Sequence, residues 1–109
     1  MQPALLYTTF PDIQAAEQIA SQLLDERLIA CVNLLPNMVS LYVWQGKNQR
    51  SIEVAALLKT DATHLQTLMS RLKALHPYDV PCMMNLNVDN MDVDYLSWMT
   101  SIMKEEHGK

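Results

Sequence analysis

The stretch VSLYVWQGKNQRSIEVAALLKT, residues 39–60, decides the fold. In its first arm Val39, Leu41 and Val43 alternate with Ser40, Tyr42 and Trp44, the period of an extended strand. In its second arm Ile52, Val54, Ala56 and Leu58 alternate with Glu53, Ala55, Leu57 and Lys59. Between the arms QGKNQR is polar and carries Gly46, so the segment reads as a long β-hairpin. Both arms are largely apolar on both faces. One face is expected to bury against helices. The other, bearing Tyr42, Trp44 and Leu57, needs cover that a chain of 109 residues has little left to supply. That imbalance implies partner subunits.

Working outward, LIACVNLLPNMVSLYVWQ leads into the hairpin with Pro36-Asn37 in its middle. It predicts either two strand portions joined at a bend or one long strand with a bulge. Upstream, PALLYTTF predicts a first strand, stopped by Pro11. Pro11-Asp12 then opens a helix carrying Ile13, Ala16, Ile19, Ala20, Leu23 and Leu24 at helical spacing, expected to end near Arg27 or Leu28. Downstream, Thr60-Asp61 is expected to cap a second helix with Leu65, Leu68, Met69, Leu72 and Leu75 on one face. His76-Pro77 stops it, because a residue before proline leaves the α region. CMMNLNV predicts a strand with Cys82, Met84, Leu86 and Val88 on one face. A third helix is expected to start at Asp92 or Asp94, with a stripe of Tyr95, Trp98, Met99, Ile102 and Met103, before the polar end KEEHGK. The order β-α-β-β-α-β-α predicts an α+β fold. It is a ferredoxin-like split β-α-β sandwich with a long β-hairpin and an additional C-terminal helix, and residues 1–109 form one domain.

Half of the residues are hydrophobic and only two are glycine, which suits a packed core. The net charge is −4 and no basic block appears, so no nucleic-acid partner is expected. No run approaches the ~18 apolar residues of a membrane span. The opening MQPALLYTTFPD has no basic region and no cleavage-like site, so a cytoplasmic protein is expected. Cys31 and Cys82 form no CxxC pair, and a disulfide is not expected in a reducing compartment. Eight methionines are read as gap-fillers in a core or interface.

The segment HPYDVPC, residues 76–82, gathers a histidine, a tyrosine, an aspartate and a cysteine between two prolines. It reads as a stiff corner and also as the lip of an intersubunit cleft. His76 offers an imidazole for a metal ion or a proton, or a ring hydrogen bond that anchors the corner. Cys31 and Cys82 are either soft ligands suited to Cu(I) or small buried hydrophobes. Glu53 and Lys59 are charges embedded in an otherwise apolar strand. With His76 and Tyr78 they define a candidate cleft. No Ser/His/Asp order, carboxylate pair or glycine-rich phosphate loop is evident, so no catalytic activity is expected.

Several stretches together carry a resemblance. ERLIACVNLLP (26–36), SLYVWQGK (40–47), EVAALLKT (53–60), LHPYDVP (75–81) and DYLSWM (94–99) resemble, in order and spacing, the CutA divalent-cation tolerance family. The resemblance implies a ferredoxin-like homotrimer in the cytoplasm, linked to tolerance of copper and other divalent ions. Cys31 falls on that family's Ala-Ala-Cys motif, here Ile29-Ala30-Cys31. Other positions depart from it. Thr8 and Leu75 stand where some members carry a cysteine and a histidine, Cys82 where many carry a glutamate, and Asn37 where glycine is usual. Two functions follow as expectations. One is a homotrimer in divalent-ion tolerance, with copper at Cys31, His76 or Cys82. The other is a small-ligand signalling or scaffold module resembling the nitrogen-signalling regulators, with its ligand in a cleft at Glu53, Lys59, His76 and Tyr78.

Overall fold

The structure, a computed structural model, describes residues 1–104; most of the expected polar end, residues 105–109, lies outside the described residues. Strand β1 (Pro3–Phe10) leads to helix α1 (Ile13–Asp25), and strands β2 (Cys31–Trp44) and β3 (Lys47–Asp61) form the hairpin. Helix α2 (Leu65–Leu75), strand β4 (Met83–Asn87) and helix α3 (Val93–Met103) follow. The sheet order is β2-β3-β1-β4, with every neighbouring pair antiparallel. This is the ferredoxin-like α+β plan with an added helix.

Helices α1 and α2 lie on one face of the sheet. Leu6 and Phe10 of β1 and Val54, Ala56 and Leu58 of β3 meet Ala16, Ile19 and Leu23 of α1 and Leu68 and Leu72 of α2 in one core. The alternation read from the sequence therefore selects the buried face of β3 correctly. Asp12 caps α1 by accepting the Ala15 N–H at 2.8 Å. The helix ends at Asp25, earlier than the expected Arg27 or Leu28. Arg27 adopts a left-handed φ of 59°. The Leu28 N–H then bonds back to the Leu23 carbonyl and the Arg27 N–H to that of Leu24. That is a Schellman stop, sealed by the buried side chains of Leu23 and Leu28. Periodicity does not reveal it because the apolar spacing runs on through the stop.

Strand β2 is continuous, with a register shift between Leu35 and Met38. Asn37 sits there at φ 62°, so Pro36-Asn37 marks a bulge and not a break. The hairpin turns on Gln45 and Gly46 alone, both at positive φ, as a two-residue primed turn requires. Lys47–Arg50, expected as part of a polar interruption, belong to β3 and pair with Leu41–Trp44. They are polar because this end of the hairpin extends past the helices, so neither face is buried by the chain's own core. Thr60, expected to help cap α2, instead lies in β3 and donates to the Leu28 carbonyl at 2.8 Å. Asp61 does provide a cap, one turn ahead of the helix, by accepting the His64 N–H at 2.8 Å.

Helix α3 lies on the other sheet face, where Met99 and Met103 pack with Ala30. Asp92 is its cap, accepting the Tyr95 N–H, and Asp94 occupies the first turn. Trp98, expected in its buried stripe, is 43% exposed and contacts the Tyr95 ring. Among the described residues this single helix covers only part of that face. Leu35, Tyr42, Trp44, Met84 and Leu86 remain exposed on it.

Candidate functional site

The site begins at the end of α2. Pro77 forces His76 into an extended conformation (ψ 137°), which terminates the helix and swings the chain across the sheet. The His76 ring stacks on Phe10, with centroids 4.9 Å apart and planes 11° from parallel. Its Nδ1 accepts the Tyr78 N–H at 3.1 Å. Its Nε2 lies 2.7 Å from the Thr9 carbonyl oxygen. A carbonyl can only accept, so Nε2 carries the proton and Nδ1 does not. Both ring nitrogens are thereby committed. Burial lowers the His76 pKa against the opposing pull of the Thr9 carbonyl and the Glu53 carboxylate, so the ring is neutral at pH 7. His76 buckles the Pro77–Pro81 corner to β1.

The corner then presents Tyr78. Its hydroxyl donates to Glu53 Oε2 at 2.8 Å. Burial, followed by that bond and the Glu53 charge, raises the phenol pKa far above the ordinary range. Burial alone would raise the Glu53 pKa as well. Hydrogen bonding from Ser40, Tyr78 and Thr9, with a contribution from His76, outweighs it and holds the carboxyl below its ordinary value. Glu53 is therefore a fixed anion on the sheet.

Around this pair lies a cleft of about 580 Å³. Its lining includes Tyr42 and Trp44 from β2, Glu53 from β3, and Tyr78, Asp79 and Cys82 from the corner. The sequence brought Glu53, His76 and Tyr78 forward as a group, and the fold does bring these three together. Lys59 is not with them. It lies six positions further along β3, about 20 Å away at strand rise. There its Nζ donates to the Tyr95 hydroxyl at 3.2 Å and lies 5.2 Å from that ring's centroid. Hydrogen bonding to Tyr95 is the main cause of its raised pKa, and Cys31, its cross-strand partner, adds to it. The candidate cleft of one chain thus contains Glu53 and Tyr78 over the His76 buckle, while Lys59 belongs to a second cluster under α3.

Cys31 and Cys82 are free thiols, both half-buried. Cys31 is on the edge strand β2, and Cys82 immediately precedes the opposite edge strand, β4. Three strand spacings, roughly 14 Å, separate those edges before any offset along the strands is counted. Among the described residues no three His, Cys, Asp or Glu side chains are gathered where they would hold a metal ion. The donors among the described residues of one chain therefore do not form a closed cluster of three or four such ligands.

Sequence reading did not pick out Tyr42 and Trp44 as cleft residues, and it named Asp79 only as part of the segment forming the cleft's lip. The first two were legible in part, since alternation puts both on the same sheet face as Glu53. Asp79 is next to Tyr78, but which way it faces depends on the corner.

Residues 4–102 match the family described as CutA1 divalent ion tolerance protein. The chain belongs to the CutA1 family. A divalent-cation tolerance protein CutA from Pyrococcus horikoshii is 45% identical over 101 residues, covering 93% of this chain and 98% of that protein. One from Pectobacterium atrosepticum is 43% identical over 100 residues, covering 92% and 91%. Among solved structures, CutA1 from Ehrlichia chaffeensis superposes with a TM-score of 0.92 at 33% identity, over 95% of this chain and 97% of that one. CutA1 from Oryza sativa gives 0.92 at 33% identity, over 97% of each. The role in the family's description, divalent ion tolerance, names no reaction. In this CutA1 chain no helix among the described residues is long and apolar enough to cross a membrane.

Proposed function

We propose that this chain serves divalent-ion tolerance in the cytoplasm as a homotrimer that takes up copper through its thiols. One observation carries the assembly. Leu41 is 76% exposed and Trp44 56%, on opposite faces of a hairpin whose end is left largely uncovered by the described residues. An apolar surface of that kind, on both sides of a strand pair, belongs in an interface. Closed rotational symmetry hides it without growth into fibres. Sedimentation equilibrium tests this. A mass of three chains is expected, and one or two chains for well-folded protein would reject the trimer. Leu35→Glu and Leu41→Glu, one on each face, are expected to lower the mass where the face concerned lies in the contact, because the new carboxylate would be desolvated without a partner.

Copper follows from Cys31 and Cys82, which offer the soft thiolates that Cu(I) prefers. Because the two are far apart within one chain, a site with more than one thiol requires donors from neighbouring copies. His76 is a weaker candidate, since ligation of Cu(II) requires it to give up a bond to Thr9 or Tyr78. Competition against a Cu(I) chelator is expected to show weaker binding in Cys31→Ser or Cys82→Ser. Wild-type affinity in the double variant would reject thiol ligation.

A second reading has its own support. The cleft at Glu53 and Tyr78 has the size and the few fixed polar groups of a small-molecule site. The chain then acts as a ligand-binding signalling or scaffold module. Saturable binding of a metal-free small ligand would favour it.

A further inference from the structure

We propose that the cleft walled by Tyr42, Trp44 and Tyr78, with the Glu53 carboxylate at its base, binds an organic ammonium cation. This builds on the second reading above, that the cleft takes a small ligand, and requires no copper, although Cys82 lines the same cleft, so the metal-free protein is used in the test.

The chemistry of the lining selects the ligand class. Glu53 and Asp79 are its charged residues, and no Lys, Arg or His is among the lining side chains. Lys47, opposite Trp44 in the strand register, is not part of the lining. An anion such as a phosphate or a carboxylate would meet a carboxylate that its own hydrogen bonds hold ionised. A cation would meet a prepared counter-charge. Tyr78, Ser40 and Thr9 donate to Glu53, three hydroxyls against a carboxylate's roughly four acceptor positions, so the anion keeps its charge and about one position for a ligand.

The walls distinguish an organic cation from a metal ion. Tyr42 and Trp44 are alternate residues of β2, so their side chains stand on one face about 7 Å apart. Both rings are about half exposed in the single chain and line the cleft, which the trimer proposed above would place at a subunit boundary. Tyr78, tethered through its hydroxyl to Glu53, gives a third ring. Aromatic faces attract weakly hydrated cations, and quaternary ammonium groups are held between several such faces. A hard metal ion is held chiefly by clustered carboxylates, and no three His, Cys, Asp or Glu side chains are gathered in this cleft among the described residues. A volume of about 580 Å³ accommodates a small organic cation.

The test is a titration with tetramethylammonium, followed by proton NMR of its methyl signal, beside tert-butanol as a neutral analogue of similar shape at matched ionic strength. A saturable upfield shift of the tetramethylammonium methyls is expected, since a cation between ring faces lies in their shielding region, with no saturable shift for tert-butanol. Trp44→Ala and Glu53→Gln are each expected to weaken binding by about tenfold. Trp98→Ala, on the far helix, is expected to leave it unchanged. Glu53→Gln keeps an acceptor for Tyr78, so it decides the matter if Trp44→Ala perturbs folding or assembly. Lack of a saturable shift, equal shifts for tert-butanol, or full binding in a folded Glu53→Gln variant would each overturn the proposal. Saturable binding of a neutral or anionic metabolite in place of tetramethylammonium would do the same, while leaving a small-ligand cleft in place.

Discussion

The hydroxyl of Tyr78 reaches 25 residues back along the chain to donate to Oε2 of Glu53 at 2.8 Å. This bond closes the corner after α2 onto β3 and fixes a negative charge on the sheet. Tyr78→Phe is expected to raise the Glu53 pKa towards its ordinary value of 4.5, read by NMR titration of the side-chain carboxyl. It removes one of three hydroxyl donors, so a partial and not a complete return is expected. Because the pair is partly exposed, the loss of stability should be about 1 kcal/mol. A Glu53 titration unchanged by the substitution would contradict this account of the carboxylate.

Acid sensitivity follows from His76. Its pKa is lowered in the folded state, so the unfolded chain binds the proton more readily. The stability contributed by the neutral ring is complete above the ordinary histidine value of 6.5 and declines as pH falls from there through the folded pKa. Glu53 acts in the same direction at lower pH. Its stabilisation is complete above 4.5 and is lost as pH falls through its lowered folded pKa. Urea midpoints are expected to fall in both windows. His76→Gln should flatten the upper window only.

Thr8 is fully buried in the helix-facing core, and its Oγ1 has no hydrogen-bond partner among the described residues. An unpaired buried hydroxyl is destabilising. Thr8→Val keeps the shape and removes the polar atom. It is expected to raise stability by about 1 kcal/mol, seen as a higher urea midpoint at unchanged slope. A lower midpoint would show that the hydroxyl has a partner in solution.

The bulge at Leu35–Met38 rests on Asn37 at φ 62°. A β-branched residue is strained in that region, so Asn37→Val should destabilise by about 1–2 kcal/mol. Asn37→Gly should be close to neutral, since relief of strain is offset by a more flexible unfolded chain. Equal stability of all three proteins would mean that the bulge relocates.

Cys31 and Cys82 stand at opposite edges of the sheet. An intramolecular disulfide needs Cα atoms within about 7 Å and is excluded by this fold. Thiol titration of protein purified under argon and then denatured should give two free groups per chain. A count of zero without intermolecular crosslinks would contradict the sheet order.

The fold was legible to a large extent in the sequence. Alternation in residues 39–60 identified the hairpin and the buried face of β3, and period-3.6 apolar spacing identified α1 and α2. These signals are local, because each side chain's direction follows from its own backbone period. Where elements stop was less legible. The Schellman stop at Arg27 uses a residue whose type does not announce a left-handed conformation, and Lys47–Arg50 are polar strand because of where the hairpin lies, not because of their own preference.

The site divides in the same way. The sequence by itself singled out Glu53, Lys59, His76 and Tyr78 as unusual residues, and it put Tyr42 and Trp44 on one sheet face. Only the tertiary structure decided which of these meet. The β2-β3-β1-β4 order lays Thr9 beside the corner, so that its carbonyl takes the His76 proton and commits the ring. The same order brings Tyr78 over Glu53 and leaves Lys59 about six strand positions away with Tyr95. Contacts of that kind depend on strand order and on the path of a proline-bounded corner, and neither is encoded in the spacing of residues along the chain.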